Sequence, residues 1–382
     1  MDDVVVIGAG PAGAVAATVL ARAGVRVRML DRATFPREKL CGDTINPGTL
    51  AMLRRLNLAT EIVARGLPIG GMIVTGEGGA AIEGAYPRGQ QGIALSRRQL
   101  DAILLRQSVA AGAAFDCGVV VREAMVDDSA VRGVVVSGNG ASRQLPAPVV
   151  IAADGRRSSL AFGLRLARHP QRPKRWAIGA YFEDAAASSF GEMHIRRGRY
   201  IGVAPLGGGV SNVCLVLPWS GGDCDFRDPP GLLRSAIAAE PMLRDRFSGR
   251  KMVRDPIMLG PLAVDVVRDD VDGLILAGDA AGFIDPMTGD GLRFAVRGGE
   301  LAAAAALEAL THGWTGVHAR LAAARAREFS PKWRFNRALR TLVASPLAVT
   351  AAGHAARVAP GVVRRLVARA GDCELARDDD AR

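Results

Sequence analysis

The chain has 382 residues and a formal net charge of +11, with 49% hydrophobic and 5% aromatic residues. Neither low hydrophobicity nor a long run of like charge is present, so the composition excludes a largely disordered protein. Basic residues do not cluster with aromatic ones, and we therefore expect no nucleic-acid partner.

The five cysteines are widely spread, at positions 41, 117, 214, 224 and 373. No pair has the C-x-x-C spacing of zinc sites or thioredoxin-type redox pairs, so the sequence predicts no metal site. The first residues, MDDVVVIGAG, enter a strand at once and lack the basic region of a signal peptide. Together these features predict reduced thiols and a cytoplasmic protein.

The first elements in chain order form a βαβ unit. DVVVIGAG is a short apolar run ending in glycines, which predicts a buried parallel strand at 3–8. An Ala-rich helix closed by Gly24 follows, and then a second strand at 25–30. Further along, Asn46-Pro47 opens a helix that runs to about Leu56, and Ser96 caps a helix over 96–112.

Buried strands that run into glycine recur at 148–153 and 273–278, far from the first two in sequence. Residues 66–92 are glycine-rich and alternating, which predicts short strands and turns, whereas residues 175–217 alternate strongly, which predicts an antiparallel sheet. This order favours one nucleotide-binding domain built from discontinuous segments, with a β-sheet domain inserted into it. The predicted fold class is therefore α/β (α+β).

The domain boundaries follow from the same pattern. We predict a nucleotide-binding domain, an inserted antiparallel substrate domain, and a C-terminal helical region with a basic, amphipathic part at about 331–370 and a frayed end, ELARDDDAR. The nucleotide-binding domain comprises residues 1–70, 95–165 and 260–310. The substrate domain comprises residues 71–94 and 166–259, and the C-terminal helical region comprises residues 311–382.

The motif Gly8-Ala9-Gly10-Pro11-Ala12-Gly13 is G-x-G-x-x-G between a strand and a helix. Its first glycine makes the tight turn, the second allows a pyrophosphate to approach, and the third lets helix and strand pack closely. Asp31 ends the second strand, where a carboxylate accepts hydrogen bonds from ribose hydroxyls. An acid at this position favours FAD or NAD over NADP.

Two further aspartates follow buried strands. Asp154-Gly155 lies in AADGRRSS, and Gly278-Asp279 begins AGDAAGFIDPMTGDGL, which becomes a helix at about Gly289. Each turn alone is a weak signal. Their order after the G-x-G-x-x-G motif is far more specific.

In this order the motifs resemble those of the FAD-dependent oxidoreductases of the para-hydroxybenzoate hydroxylase fold. That group includes aromatic hydroxylases, geranylgeranyl reductases and flavin-dependent halogenases. The resemblance covers roughly residues 1–310 and is strongest for the geranylgeranyl-reductase-like branch, through FPREKLCGD, SRRQLD and GDAAGFIDPMTGDGL. It implies that the nucleotide-binding domain is a Rossmann-like FAD-binding domain.

The resemblance also implies roles for individual residues. The glycines of the first motif would hold the FAD diphosphate, Asp31 the adenosine ribose and Asp279 the ribityl chain, while Arg97 would lie against the cofactor. The N–H groups from Gly289 to Leu292 would face the flavin pyrimidine and stabilise its anionic reduced form. The full set of expected cofactor-binding residues is Gly8, Gly10, Pro11, Ala12, Gly13, Asp31, Arg32, Cys41, Gly42, Arg97, Asp154, Gly155, Gly278, Asp279, Gly289, Gly291 and Leu292.

The sequence also bears on the electron donor. A second G-x-G-x-x-G unit is absent from the sequence, so it offers no separate NAD(P) domain. This matches the single-FAD-domain class and disfavours the two-dinucleotide disulfide reductases. We expect NAD(P)H as a transient donor of hydride to the flavin, with a different electron donor as the alternative.

One segment departs from the family. Geranylgeranyl reductases carry Tyr-x-Trp-x-Phe-Pro beside the flavin, whereas this chain has Tyr200-Ile201-Gly202-Val203-Ala204-Pro205. Two large aromatic rings are therefore missing from the expected substrate wall. The wider wall favours an NAD(P)H-dependent monooxygenase for a hydrophobic aromatic or polyketide-like substrate. The alternatives are a reductase of C=C bonds in a lipid or isoprenoid, and a non-catalytic electron carrier.

Three side chains are candidates for catalysis. His194 lies in an alternating segment, expected on a sheet face towards the flavin, although a structural histidine is the stronger interpretation. Tyr200 could orient substrate, or be a core aromatic. Cys41 should lie near the flavin ring, either as a substrate contact or proton relay or as a small filler. The basic tail could shield the pocket, mediate dimerisation or contact an anionic membrane, or simply pack in solvent; the oligomeric state is left open.

Overall fold

The computed structural model describes residues 2–40, 42–77, 81–87, 89–138, 141–171, 174–184, 188–219, 226–284, 287, 289–343 and 360–379. In these ranges the strands are β1 (Val4–Ile7), β2 (Val27–Asp31), β3 (Thr44–Ile45), β4 (Leu67–Ile69), β5 (Gly71–Thr75), β6 (Ala81–Ala85), β7 (Gly92–Ala94), β8 (Ala114–Cys117), β9 (Val120–Asp127), β10 (Ala130–Gly138), β11 (Ala141–Pro146), β12 (Val149–Ala152), β13 (Ala167–Arg168), β14 (Arg175–Glu183), β15 (Phe190–Arg196), β16 (Arg199–Leu206), β17 (Val210–Pro218), β18 (Ile257–Leu259), β19 (Asp265–Val266) and β20 (Leu274–Leu276).

The helices of the same ranges cover the faces of the sheets and most of the C-terminal region. They are α1 (Pro11–Arg22), α2 (Pro47–Arg55), α3 (Thr60–Arg65), α4 (Arg97–Ala110), α5 (Ser159–Gly163), α6 (Pro229–Ala238), α7 (Pro241–Phe247), α8 (Gly291–His312), α9 (Val317–Val343), α10 (Pro360–Ala370) and α11 (Cys373–Asp379). A short 3₁₀ helix spans Gly278–Ala281.

A five-stranded parallel sheet has the order β20-β12-β1-β2-β8. β1 and β12 are buried along their whole length, which explains their continuous apolar sequence. Helices α1 and α8 pack on one face through small residues, and an ideal Cβ at Gly299 would lie 2.3 Å from the carbonyl oxygen of Ala12. The parallel, Rossmann-like sheet predicted from the separated strands is confirmed.

A seven-stranded sheet forms the second layer, in the order β18-β14-β17-β16-β15-β5-β6. The pairs β14–β17, β17–β16 and β16–β15 are antiparallel, as the alternation at 175–217 predicts. Helices α6 and α7 cover one face, and the core between them includes Ile178, Phe182 and Leu233. The other face points towards the parallel sheet. We call this seven-stranded sheet the substrate sheet.

The C-terminal end differs from the expectation of a frayed tail. Residues Cys373–Asp379 form helix α11, and the side chains of Cys373 and Ala376 are buried. The preceding turn also holds α2, because the N–H of Gly48 donates to the carbonyl of Gly371 (3.0 Å). The frayed-end prediction is therefore wrong as far as Asp379, the last described residue.

Candidate functional site

The parallel sheet brings the predicted cofactor turns together at one edge. β1, β2, β12 and β20 run in the same direction, so the residues that follow them share the carboxyl end of the sheet. These residues are the Gly8–Gly13 loop, Asp31, Asp154 and Asp279. Residues that are far apart in sequence thus form one surface. Ligands of open α/β sheets bind at this edge.

The glycine loop has the geometry of a diphosphate cradle. Gly8 has φ +92°, and an ideal Cβ there would lie 2.5 Å from the carbonyl oxygen of Ala153. An ideal Cβ at Gly13 would lie only 1.9 Å from the carbonyl oxygen of Gly8, so α1 and β1 can approach this closely only with glycine. Gly10 is the N-cap of α1 and supplies no side-chain hydrogen bond. The first N–H groups of α1, with Pro11 and Ala12 in its first turn, therefore suit a bound anion.

Asp31 lies at the end of β2 with only 9% of its surface exposed. Its Oδ2 accepts a hydrogen bond from Ala9 N (2.9 Å), and its Oδ1 accepts one from Ala33 N (2.9 Å). These bonds fix the carboxylate beside the glycine loop. Each oxygen keeps a lone pair for a ribose hydroxyl. The neighbouring Arg32 is exposed, and its expected cofactor contact stays a prediction.

Four basic side chains lie at this edge of the parallel sheet. Arg37 Nη2 and Arg97 Nη2 are 3.2 and 4.0 Å from the ideal Cβ of Gly10, and Arg97 also binds Asp101 through two bonds (2.7 and 3.0 Å). Lys39 Nζ is 3.9 Å from the ideal Cβ of Gly155. The fourth side chain, Arg156, interacts with the charge of Asp279, as Lys39 also does.

Lys39 makes no hydrogen bond to any residue that the structure describes, and sequence reasoning missed it. Burial, with the positive charge of Arg97 next, lowers the pKa of its ammonium group. Burial likewise lowers the pKa of Arg156 to about 10. Buried cations of this kind would be stabilised by a dianionic group such as a diphosphate.

The other strand-end aspartates also lie at this edge. Asp154 Oδ2 accepts a hydrogen bond from Ser159 N (2.9 Å), and burial raises the pKa of this carboxyl. Gly278, with φ +60°, begins the 3₁₀ helix beside Ala12. Asp279 is half-buried and its charge interacts with Lys39 and Arg156, and a carboxylate at this edge can accept hydroxyl hydrogen bonds from a cofactor.

The start of α8 forms the far end of the site. Gly289 has φ +69°, and its ideal Cβ lies 4.0 Å from Thr44 Oγ1 of the turn after Leu40. Gly291 begins the helix, and Leu292 packs its side chain into the core, which leaves its N–H at the helix N-terminus. Sequence reasoning missed the buried ion pair beneath this end, between Asp290 Oδ1 and Lys332 Nζ (3.1 Å).

The substrate sheet presents an apolar surface to this site, which we call the apolar wall. Leu40 and Met287, from the two cofactor-side loops, pack directly against it. An ideal Cβ at Gly179 would lie 2.2 Å from Leu40 Cδ1, whereas one at Gly202 would meet nothing closer than Met193 Cε at 3.8 Å. The wall consists of Ala177, Ile195, Tyr200 and Val216, with the half-buried Val74, Met193, Cys214, Ile257 and Leu259, and Leu262 and Phe283 also pack against it.

Tyr200 is a buried member of the apolar wall, on the side that faces the cofactor edge. Its expected role in orienting substrate stays a prediction. Cys41 lies outside the described residues, so its expected position at the flavin also stays a prediction. Its neighbour Gly42 is exposed, and an ideal Cβ there would meet only Thr44 Oγ1 at 3.9 Å.

The expected position of His194 is wrong. It pairs with Ile201, whereas its neighbour Ile195 pairs with Tyr200 of the apolar wall, so His194 points to the opposite face of the sheet. It is fully buried, with Nδ1 2.9 Å from Thr75 Oγ1 and Nε2 3.1 Å from Glu192 Oε2. The structure therefore places His194 within the protein, away from the cofactor edge.

The surroundings of His194 form a buried ion network. Arg246 donates to Glu192 Oε1 (2.6 Å) and Asp184 Oδ2 (2.5 Å), and Arg196 contacts Glu240. Burial alone would raise the pKa of Glu192, but hydrogen bonds from His194 and Arg246 and the charge of Arg246 hold it below its ordinary value. These contacts join the sheet to α7 and leave no face of the imidazole for a substrate.

Asp43 is a further buried acid that sequence reasoning did not select. It is fully buried, and its carboxylate accepts hydrogen bonds from Arg97 N (2.9 Å), Tyr181 Oη (2.8 Å) and Asn212 Nδ2 (2.7 Å). Burial raises the pKa of this carboxyl to about 6, although the three hydrogen bonds act in the opposite direction. The one sequence signal is its place in FPREKLCGD, directly after the Cys41-Gly42 turn.

The comparisons with known proteins agree with this geometry. The family described as FAD binding domain matches residues 1–230. The chain belongs to this FAD-binding family. It is an FAD-dependent oxidoreductase, as the sequence predicted, and the glycine cradle and the basic cluster fit the FAD diphosphate.

The relatives cover most of the chain. It is 32% identical over 323 residues to menaquinone reductase from Mycobacterium tuberculosis, covering 79% of this chain and 75% of that protein. It is 31% identical over 319 residues to digeranylgeranylglycerophospholipid reductase 2 from Methanopyrus kandleri, covering 81% and 77%. A flavoprotein/dehydrogenase structure from Cytophaga hutchinsonii has the same fold, with a TM-score of 0.83, 20% identity, and coverage of 97% of this chain and 92% of that one.

The described ranges contain no group of three or more His, Cys, Asp or Glu side chains that could hold a metal ion. Of the described cysteines, Cys117 is exposed, Cys214 is half-buried and Cys373 is buried. None of the described helices combines the length and apolarity that crossing a membrane requires.

Replacing Lys39 tests the FAD diphosphate cradle. We expect Lys39→Met to raise the dissociation constant of FAD by about tenfold or more, because a charge-assisted contact is lost. Lys39→Arg should retain most of the affinity. The measurement is FAD fluorescence titration of the apoprotein. Lys251→Met, at an exposed position, is the matched control, and an unchanged FAD affinity in Lys39→Met would contradict the assignment.

Replacing His194 tests whether it is structural. His194→Gln should lower the free energy of unfolding by about 1–3 kcal/mol, because Glu192 and Thr75 lose a buried partner. Bound FAD and its rate of reduction should stay the same. Denaturant unfolding and stopped-flow absorbance measure the two properties, with exposed His312→Gln as control. Full stability with lost flavin reduction would instead show a catalytic role.

Proposed function

We propose that this protein is a flavin-dependent reductase of C=C bonds in a hydrophobic, isoprenoid-type lipid, with NAD(P)H as electron donor. The observation that carries the proposal is the apolar wall opposite the cofactor edge. Gly202 and Cys214 are half-buried cross-strand neighbours on this wall, and among the described residues an ideal Cβ at Gly202 would touch only Met193 and a backbone oxygen. We call the surface around these two residues the trough, and an apolar surface of this kind suits a flexible hydrocarbon chain better than a polar substrate.

The relatives support the same reaction class. Both curated proteins named above are reductases, and each aligns with about four-fifths of this chain. One is named for a quinone and the other for a lipid with isoprenoid chains. For this chain we propose a substrate with a polyprenyl group, the chemical feature that the two have in common.

The wall also bears on the choice between reduction and hydroxylation. Hydroxylation of a phenol by a flavin enzyme is helped by a base that activates the phenol. His194 lies on the other face of the substrate sheet, and Asp43, an acid on the side of the wall, is fully buried and bonded to three donors. The groups beside the wall thus favour reduction.

A monooxygenase is the second candidate function. The observation that favours it is the small side chains at Gly202 and Ala204, on the face that also carries Tyr200. They leave space for a rigid aromatic ring as well as for a chain. A non-catalytic electron carrier is less well supported, because a carrier needs no such wall.

Within the proposed reaction, the chain's own residues bind and orient the substrate. The apolar wall removes water from the hydrocarbon and holds it against the cofactor edge, where excluded water strengthens electrostatic interactions. Tyr200 would fix the position of a double bond by contact. When bound, FAD supplies the redox chemistry, taking electrons from the donor and passing them to the substrate.

The C-terminal helices offer a route for such a substrate. Helix α10 exposes Val362 and Leu366 (55% and 47%), one helical turn apart, beside exposed Arg364 and Arg365. Apolar and basic groups in this arrangement suit the surface of an anionic membrane. We propose this peripheral membrane contact as well. Comparing substrate in anionic vesicles with substrate in detergent tests the contact separately from the reaction.

The test is an anaerobic assay of the FAD-bound protein with NADH or NADPH. The substrates are a menaquinone and a lipid with geranylgeranyl chains, each offered in detergent and in anionic vesicles. Mass spectrometry should show the addition of two hydrogens per reduced bond, with faster turnover from vesicles. A phenol panel that gains oxygen in air, with no reduction of either lipid, would overturn the proposal in favour of the monooxygenase.

A matched pair of variants ties the activity to the wall. Gly202→Phe should lower lipid turnover by about tenfold or more, because a ring fills the trough, while FAD binding persists. Gly163→Phe adds the same volume at an exposed helix end where an ideal Cβ meets no atom within 4 Å, and should leave turnover unchanged. Equal turnover in the two variants would show that the trough does not bind substrate.

A further inference from the structure

Asp43 joins three separate elements around one carboxylate. Its Oδ1 accepts from the backbone N–H of Arg97 at the start of α4, and its Oδ2 accepts from Tyr181 on β14 and Asn212 on β17. Its carbonyl also accepts a hydrogen bond from Leu95 N (2.9 Å). The donors lie up to 169 residues away in sequence, so the contact is wholly tertiary.

The backbone at Asp43 has an uncommon conformation. Its φ is +53°, in the left-handed region that few residues other than glycine, asparagine and aspartate adopt. Three donors to the side chain and one to the carbonyl hold the residue there. The arrangement therefore fixes both the direction of the chain and the position of the turn before it.

The neighbours of Asp43 on either side face the site. Leu40 packs on Gly179 of the substrate sheet, and Thr44 Oγ1 lies 4.0 Å from the ideal Cβ of Gly289 at the start of α8. Tyr181 lies two residues beyond Gly179 on the same face of β14. Leu40 and residues 42–44, which we call the cofactor turn, are thus held between the substrate sheet and the cofactor edge with Asp43 at the point of attachment.

The chemistry of the donors distinguishes this contact from ordinary packing. Tyr181 and Asn212 pair directly across β14 and β17, and both point to the one carboxylate oxygen. Charged or polar groups that are buried and fully bonded specify one arrangement, because any shift leaves a donor or acceptor unpaired. Asp43 has no exposed surface, so it does not itself touch a substrate.

We propose that Asp43 is a positioning residue that sets the distance between the cofactor turn and the apolar wall, and so tunes the surroundings of the bound flavin. Tyr181 and Asn212 are the parts of the substrate sheet through which it acts. The inference depends on FAD binding at this edge and not on which substrate is reduced or oxidised. Its failure is therefore distinguishable from a failure of the proposed function.

The test uses the FAD-bound protein and three variants: Asp43→Asn, Asp43→Ala and Tyr181→Phe. We expect the first two to shift the visible absorbance bands and the reduction potential of the bound flavin. Tyr181→Phe removes one of the three donors and should give a smaller shift in the same direction. Where a substrate is available, its KM should rise by about tenfold with a smaller change in kcat, because the wall and the turn no longer hold their spacing.

Combining the changes separates positioning from simple loss of stability. In Asp43→Asn with Tyr181→Phe, the spectral shift should be smaller than the sum of the two single shifts, because both remove the same contact. Asp265→Asn, at an exposed position, is the control and should leave the flavin spectrum unchanged. If Asp43→Ala does not fold, Asp43→Asn and Tyr181→Phe decide the question. An unshifted flavin spectrum and potential in both would overturn the proposal.

Discussion

The parallel pairing of β1 with β2 and β12, and of β12 with β20, is the constraint on which the rest of the molecule depends. It places four chain reversals, distant in sequence, at the carboxyl edge of one sheet. The glycine cradle then follows from backbone proximity, since an ideal Cβ at position 13 would lie only 1.9 Å from the carbonyl oxygen of Gly8. The cations at this edge suit an anionic cofactor.

The substrate sheet gains its function from how it is attached to that edge. Leu40 and Met287 give apolar contact, and Asp43 gives directional hydrogen bonds at the same boundary. The opposite face is held to α7 by the ion network around His194 and Arg246. One face is thereby structural and the other faces the cofactor, so that changes on the two faces should affect different properties.

The local parts of the site could be predicted from the sequence, because strand, glycine turn and helix are adjacent in the chain. Asp31, Asp154 and Asp279 follow buried strands, and their sharing of one edge follows from parallel pairing. The orientation of His194 could not be predicted, since shifting the strand pairing by one residue reverses the face of every side chain. Asp43 and Lys39 were missed for a related reason: their partners come from β14, β17 and the turns after β12 and β20, and no local pattern records those contacts. The missing rings at Gly202 and Ala204 were visible in the sequence, but the apolar character of the whole wall emerges only from the paired strands.

The most direct test of this account is a crystal structure of the FAD-bound protein with a short polyprenyl compound. The account predicts FAD along the carboxyl edge of the parallel sheet, with its diphosphate at the Gly8–Gly13 loop, and the hydrocarbon lying on the apolar wall over Gly202 and Cys214. A hydrocarbon bound elsewhere, such as between Trp176 and Trp219 at the far end of the substrate sheet, with the trough filled by protein side chains, would contradict it.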